Sequence, residues 1–427
     1  MSGAPRVVIT GLGAICASGL DPDGIFDAIL GGTSCIAPNG DWDTGAWPCR
    51  TAGRIETPLK ELIKDRKLLK LIKKTDVVGI YAAEQALQAA SVDSHQQSLA
   101  ADDAERFADR FAVYVGTGGS GYYTQYDFFC LIEESQEKLP LFGQKLSENV
   151  NPMWLLRNLP NNVLCHVGIR NNLKGANGCI TDHSTSGSLA LIEAFEALRI
   201  GDADRAVAIG HESPVEPQTV LYYQSLGLLA ATELKPFDAE RSGSILGDGA
   251  AALVLETEAA AEARSAPVLA EILGRGCSSE ATGLLPIRED GEGLVQAIQQ
   301  ALQQAQLTPE QIGLVVCHGN GTRASDQSEG AAIRSVFGDN SPPITSFKWA
   351  FGHLLAASGS IDTVLAIKAL ERNLVPAIGT LDHLDPCLEG LPIATEPMAP
   401  RSPTALVLSR GFGGRNTAVI VRLAQAG

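Results

Sequence analysis

The run Asp182-His183-Ser184-Thr185-Ser186-Gly187 leads directly into an amphipathic stretch that ends near Ile200. A nucleophile placed where a helix begins faces unpaired backbone N–H groups and the positive end of the helix dipole, which stabilise negative charge as it develops. Ser and Thr are also ordinary helix N-caps, so this run alone supports a structural reading as well as a catalytic one. Its company favours chemistry. His318-Gly319-Asn320-Gly321-Thr322 follows the apolar run Leu314 to Cys317, and Gly352-His353 opens an Ala-rich stretch. Two of only seven histidines thus sit in glycine-flanked turns after apolar runs. His95, His166, His211 and His383 read as structural or exposed residues. A serine attended by imidazoles is the arrangement of covalent acyl transfer. Lys348 lies five residues before His353, with Glu329 or Asp326 as a partner, and a buried lysine without one would be costly.

The elements that must hold these residues follow from hydropathy patterning. Arg6 to Thr10, Phe111 to Val115, Ala206 to Ile209, Leu314 to Cys317 and Ala405 to Leu408 read as strands. Ile80 to Ala90 and Ser188 to Ile200 have helical spacing, the second stopped at Gly201-Asp202. Strands alternating with helices imply an α/β fold. An internal echo suggests duplication: Gly243 to Gly249 precedes the apolar run Ala250 to Leu255, and Gly411 to Gly414 precedes Thr417 to Val421. The Ala- and Glu-rich segment Glu256 to Ala266 would join the halves, which sets expected units at 1–256 and 257–427.

Composition narrows the function classes. The 427 residues are enough for a large core, and no apolar stretch approaches the length of a membrane span. The opening residues lack the regions of a signal peptide, so a cytoplasmic protein is expected. A net charge of −16 disfavours nucleic acid as a partner. Nine cysteines without a C-x-x-C pair suggest neither a metal site nor a disulfide framework. Against this acidic background, Lys64, Arg66, Lys67, Lys70, Lys73 and Lys74 form a basic run, either a solvated helix face or a docking patch for an acidic protein. Gly11-Leu12-Gly13-Ala14-Ile15-Cys16 and Gly116-Thr117-Gly118-Gly119-Ser120-Gly121 imitate a dinucleotide-binding fingerprint. The first ends in Cys rather than Gly or Ala, and the second continues into Tyr122-Tyr123-Thr124-Gln125-Tyr126, a poor helix start.

Taken together, these segments resemble the β-ketoacyl-acyl-carrier-protein synthases, elongating condensing enzymes of the thiolase superfamily. The resemblance runs from Val7-Val8-Ile9-Thr10-Gly11-Leu12-Gly13-Ala14, like the family's first strand and turn, through Lys235-Pro236-Phe237-Asp238 and Gly247-Asp248-Gly249-Ala250 to Gly411-Phe412-Gly413-Gly414-Arg415-Asn416. It implies a thiolase-like fold of duplicated halves in α-β-α-β-α layers, a role in fatty acid or polyketide synthesis, and a homodimer or a heterodimer with another ketosynthase-like chain. No cofactor is implied beyond the phosphopantetheine carried by an acyl carrier protein. By resemblance, His318 and His353 handle a malonyl thioester, Lys348 and Glu329 form a buried ion pair that orients them, Phe412 and Gly413 make a gate, Thr322 and Asp326 border the substrate, and the basic run docks the carrier.

One departure changes the chemistry. The family's nucleophile is cysteine, whereas Ser184 stands at that position here. A serine hydroxyl needs a general base such as His318 or His353, and an acyl-serine is a weaker electrophile toward an enolate than a thioester. Transfer of the acyl group to a hydroxyl, an amine or water is the expected outcome. A chain-length-factor-like partner subunit, and a decarboxylative condensing enzyme that works with, or was engineered to carry, serine, remain as alternatives. Arg410 and Arg415 flank the Gly411 turn, where either an anionic acceptor or a surface position would explain them. His183, beside the nucleophile, is expected to point away from it, as neighbouring side chains on a turn generally do.

Overall fold

The computed structural model describes residues 4–118, 126 and 128–424. The expected strands at Phe111, Ala206 and Ala405 lie inside longer ones, because the buried backbone continues pairing beyond each apolar run, whereas the first begins at Val7 rather than Arg6 and the one at Leu314 ends at Val316 rather than Cys317. Among the described residues ten strands form one sheet: β1 (Val7–Cys16), β2 (Phe111–Thr117), β3 (Asn177–Ile180), β4 (Arg205–Glu212), β5 (Gly249–Thr257), β6 (Ala270–Ser279), β7 (Leu314–Val316), β8 (Ile344–Thr345), β9 (Thr404–Gly411) and β10 (Arg415–Leu423). Their order is β8-β7-β9-β10-β6-β1-β5-β4-β2-β3. Read outward from the β1/β6 seam, the second half repeats the first with every strand number raised by five. The pairing repeats as well. β1/β5, β5/β4, β6/β10 and β10/β9 are antiparallel, while β4/β2, β2/β3, β9/β7 and β7/β8 are parallel. The seam itself is short and antiparallel, Val7 to Ile9 against Ala270 to Ile272.

Five helices build the layers: α1 (Lys74–Ala89), α2 (Ser186–Ile200), α3 (Glu292–Ala305), α4 (Arg323–Phe337) and α5 (Ser358–Glu371). α2 and α5 pack on each other and on strands of both halves, so they occupy the centre, and nearly every residue of α5 is buried. α1 covers the outer face of β1, β5 and β4, and α3 covers β6 and β10. α5, buried on nearly every side, has no single apolar face and carries the buried polar groups Asp362 and Lys368 among its apolar residues, whereas the outer α3 keeps one polar face rich in glutamine. No helix among the described residues is long and apolar enough to cross a membrane.

The glycines at the start of the chain are not a turn. Gly11 and Gly13 lie within β1, where α1 crosses so closely that a Cβ would stand 2.2 Å from the Ala86 carbonyl oxygen or 2.1 Å from that of Ala82. Gly274 and Gly276 repeat the device on β6, meeting the carbonyls of Ala301 and Ala297 on α3. The nucleotide-like spacing is therefore helix–sheet packing at equivalent places in the two halves. Gly116, near the end of β2, lies against the start of α2, and 119–121 of that second glycine run, with 122–125 beyond it, lie outside the described residues. Gly13→Ala is expected to cost about 1–3 kcal/mol or more, because the obstacle is backbone that cannot swing aside. A urea midpoint indistinguishable from the parent's would contradict that close approach.

Candidate active site

Ser184 is buried in a short 3₁₀ turn, His183–Thr185, immediately before α2 rather than on the helix itself. The turn is tied by the Asp182 N–H donating to Ser186 Oγ at 2.7 Å, by Ser186 Oγ donating to the His183 carbonyl at 2.8 Å, and by Thr185 Oγ1 donating to the Asp182 carbonyl at 2.8 Å. His183 has φ of +51°, a left-handed backbone that is uncommon for a residue with a Cβ. Its ring does not point away from its neighbour. Nδ1 lies 2.9 Å from Ser184 Oγ, and Nε2 is hydrogen-bonded to the Tyr223 hydroxyl. The same ring stacks on Phe412, centroids 4.0 Å apart and planes 19° from parallel, with Tyr223 stacked 5.9 Å away on a 16° tilt.

On the other side of the hydroxyl, His353 Nε2 lies 3.2 Å from Ser184 Oγ. His353 follows Gly352, whose φ of +87° favours glycine, and its backbone is clamped by the Ile245 carbonyl and the Gly247 N–H. Its Nδ1 receives the Leu355 N–H at 3.3 Å and lies 2.9 Å from Ser358 Oγ. His318 meets His353 edge to face at 5.1 Å between centroids, and its buried Nδ1 has no hydrogen-bond partner among the described residues. Burial, with the nearby Lys348 charge, holds both rings well below the usual histidine range, and burial lowers His183 to about 4. All three imidazoles are therefore neutral at pH 7. His183, Ser184, His318, His353, Thr322 and Phe412 line one cavity of about 70 Å³, closed further by Tyr223, Arg410 and the segment Leu284 to Ile287.

The expected ion pair is different. Lys348 Nζ binds Asp362 Oδ2 at 2.7 Å, both groups fully buried, and Asp362 belongs to the central α5. Glu329, on α4, instead accepts the His318 N–H at 2.7 Å and the Gly319 N–H at 3.0 Å, which fixes the turn carrying His318. Each of its oxygens thus accepts a backbone amide, while the lysine binds the carboxylate on the next helix. Asp326 accepts the Phe237 N–H at 2.9 Å and pairs with the buried Arg241, while burial pushes its carboxyl up to about 7. Gly413, at φ +77°, donates its N–H to the Leu284 carbonyl and so pins the Phe412 turn.

The charges at the mouth are also matched internally. Arg410 is buried against Glu280 at 2.6 Å, and Arg415 Nε binds Asp182 at 2.9 Å, so neither offers an unpaired cation. In the basic run, Lys64, Arg66, Lys67 and Lys70 are exposed around a 3₁₀ turn rather than along a helix. Lys73 is only 9% exposed, its ammonium held down by burial, and Lys74 binds the buried Asp248 at 2.6 Å. The last two therefore anchor α1 instead of presenting free charge. Asp248 follows Gly247, which clamps His353, so this anchor reaches the site through two residues.

Two family models match the chain: the one described as "Beta-ketoacyl synthase, N-terminal domain" over residues 4–261, and "Beta-ketoacyl synthase, C-terminal domain" over 269–382. The chain belongs to the β-ketoacyl synthase family. It is 29% identical over 421 residues to nodulation protein E of Rhizobium leguminosarum bv. trifolii, covering 98% of this chain and 99% of that one. With the 3-oxoacyl-[acyl-carrier-protein] synthase 2 of Vibrio cholerae it shares 30% identity over 430 residues, 98% and 99% of the two chains. A solved β-ketoacyl synthase from Burkholderia phymatum superposes with a TM-score of 0.85 at 27% identity, covering 99% and 100%. The fold is thus the thiolase-like fold of ketosynthases. Within that family frame, sequence reasoning missed Tyr223, Asp362 and the inward turn of His183. The available signal was a histidine set directly beside the nucleophile candidate.

Proposed function

We propose that this β-ketoacyl synthase family member is an acyltransferase that takes an acyl group from the phosphopantetheine thiol of an acyl carrier protein onto Ser184 and passes it to an acceptor. The observation that carries this reading is the Ser184 hydroxyl, buried on a cavity wall between two neutral imidazoles at 2.9 and 3.2 Å. Serine stands where the family resemblance places cysteine, so the intermediate is an oxygen ester, and a protic acceptor suits it better than a carbanion. His353 and His318, both on the cavity wall, polarise the acyl carbonyl, Glu329 holds the His318 turn, and Lys348, paired with Asp362, acts electrostatically on both rings. Phe412 and Gly413 gate the cavity, and Thr322 and Asp326 shape its border. Lys64, Arg66, Lys67 and Lys70 steer the acidic carrier, an effect that acts mainly on association rate.

In the same reading, residues 1–256 and 257–427 are the duplicated halves, one carrying the nucleophile and the other both histidines of the resemblance. A second ketosynthase-like chain covers apolar groups left open among the described residues, such as Phe129, Leu139 and Leu155. Incubating the protein with a panel of acyl carrier proteins and measuring intact mass tests the reading. The expected result is a mass gain equal to the acyl group, absent from Ser184→Ala. No gain with any acyl carrier would turn the assignment to a non-acylating partner subunit.

A further inference from the structure

The hydrogen bonds around Ser184 have a direction, and one group fixes it. A backbone N–H can only donate, so the Leu355 amide at 3.3 Å makes His353 Nδ1 an acceptor. A neutral imidazole with an acceptor Nδ1 carries its proton on Nε2. His353 Nε2 therefore donates to Ser184 Oγ across 3.2 Å and has no lone pair with which to take the serine proton. The serine hydrogen has one remaining partner among the described residues, His183 Nδ1 at 2.9 Å. For Nδ1 to accept, His183 must hold its own proton on Nε2, which is the atom bonded to the Tyr223 hydroxyl. The chain of donors thus runs His353, Ser184, His183, Tyr223.

From this directed chain we infer that His183 is the general base for Ser184, with Tyr223 as the positioning residue that holds its tautomer, while His353 serves only as a donor. The inference rests on the acyl-transfer reading above and assigns the proton within it. As Ser184 Oγ attacks the thioester carbonyl carbon, its proton passes to His183 Nδ1 and a C–O bond forms. The tetrahedral intermediate then collapses, the C–S bond breaks, and the departing thiolate takes the proton back from Nδ1. The products are an acyl-serine and a free carrier thiol. A protic acceptor runs the same steps in reverse, giving its proton to Nδ1 as it attacks the ester.

Three features suit His183 to this part. Its separation from the hydroxyl falls within the reach a general base requires. Its left-handed backbone, a costly conformation for a residue with a Cβ, is what turns the ring back onto its own neighbour. Packing face to face on Phe412, with the Tyr223 hydroxyl against its Nε2, desolvates the ring and keeps it neutral at physiological pH, an effect that the Asp182 charge opposes.

The test follows two independent labels on full-length protein: acyl loading from an acyl carrier, and phosphonylation of Ser184 by a fluorophosphonate, which needs an activated hydroxyl but no carrier. His183→Gln is expected to slow both by about 100-fold or more. Tyr223→Phe keeps the ring and loses the hydroxyl, and should lower the limiting loading rate by about 10-fold while leaving the half-saturating carrier concentration unchanged. A folded His183→Gln that labels within about threefold of the parent overturns the assignment. If that variant does not fold, an unchanged limiting rate in Tyr223→Phe overturns it instead. Parent protein that reacts with the fluorophosphonate in a His183-dependent way but never loads from a carrier keeps the base and removes the carrier reading. Loading from a carrier that ignores His183 does the opposite, and a parent inert to both labels removes both.

Discussion

Ser184→Ala is expected to abolish acyl loading, with any residual transfer reduced by at least roughly 10⁴-fold, the scale on which nucleophile deletions act in serine acyl-enzymes. The same change should barely affect folding. It removes one hydroxyl from a buried turn whose ties run through Asp182, Thr185 and Ser186 rather than through Ser184. Its main cost is a His353 N–H left without an acceptor, about 1 kcal/mol or slightly more. Intact mass after carrier incubation and a urea titration on one preparation separate the two effects. A large stability loss with loading preserved would assign Ser184 to structure alone. Ser184→Cys tests the nature of the intermediate. A thioester is a better electrophile toward an enolate than an oxygen ester, so this variant is expected to form β-ketoacyl product from malonyl carrier faster than the parent. Product analysis showing no gain in carbon–carbon bond formation would leave the serine without that explanation.

Lys348→Met should be the most destabilising single change among the site residues. It strands the Asp362 carboxylate, fully buried in the central helix layer, and breaking a buried ion pair in this way costs about 3–5 kcal/mol. Burial already raises the Asp362 carboxyl, so the stranded group will hold a proton over a wider pH range. Lys348→Met combined with Asp362→Leu is expected to recover most of the loss, because apolar replacement of a whole buried pair is often neutral. The double variant has a second, opposite consequence. Removing the lysine charge raises the affinity of His318 and His353 for protons, moving both toward the ordinary histidine range. Stability near that of the parent, together with histidine ring resonances that titrate at higher pH, is the expected pattern. A single variant as stable as the parent would contradict the pairing.

The residues with distinctive neighbours were legible in the chain itself. Ser184, His318, His353 and Phe412 each sit in a glycine-containing turn beside an apolar run, and the structure gathers all four around one cavity. The strands built on apolar runs were legible because such buried runs leave few alternatives, whereas β3, β6 and β8, which lack a continuous apolar run or are very short, were not expected. Partnerships that form across elements were not. Lys348 binds Asp362 on α5 while Glu329 accepts two amides of the His318 turn, a fact of three-dimensional assembly that spacing does not encode. His183 escaped for a different reason: its approach to Ser184 depends on a positive φ and on Tyr223, 40 positions further on. Gly11 and Gly13 read as a turn because glycine usually signals one, whereas their need is set by α1 crossing above. Lys73 and Lys74 looked like the rest of the basic run until α1 gave them buried surroundings.

The interleaving of α2 and α5 bears on how the chain is made. A ribosome delivers β1 to β5 and α2 before any part of the second half exists, yet α2 needs α5 and β10 to finish covering it. A nascent chain of this design carries an uncovered apolar helix until nearly the last strand, β10, has been translated. Growing chains with such surfaces are prone to self-association. The design therefore ties successful production to the timing of synthesis and to holding factors on the nascent chain, and a truncated gene would yield sticky fragments rather than a working half.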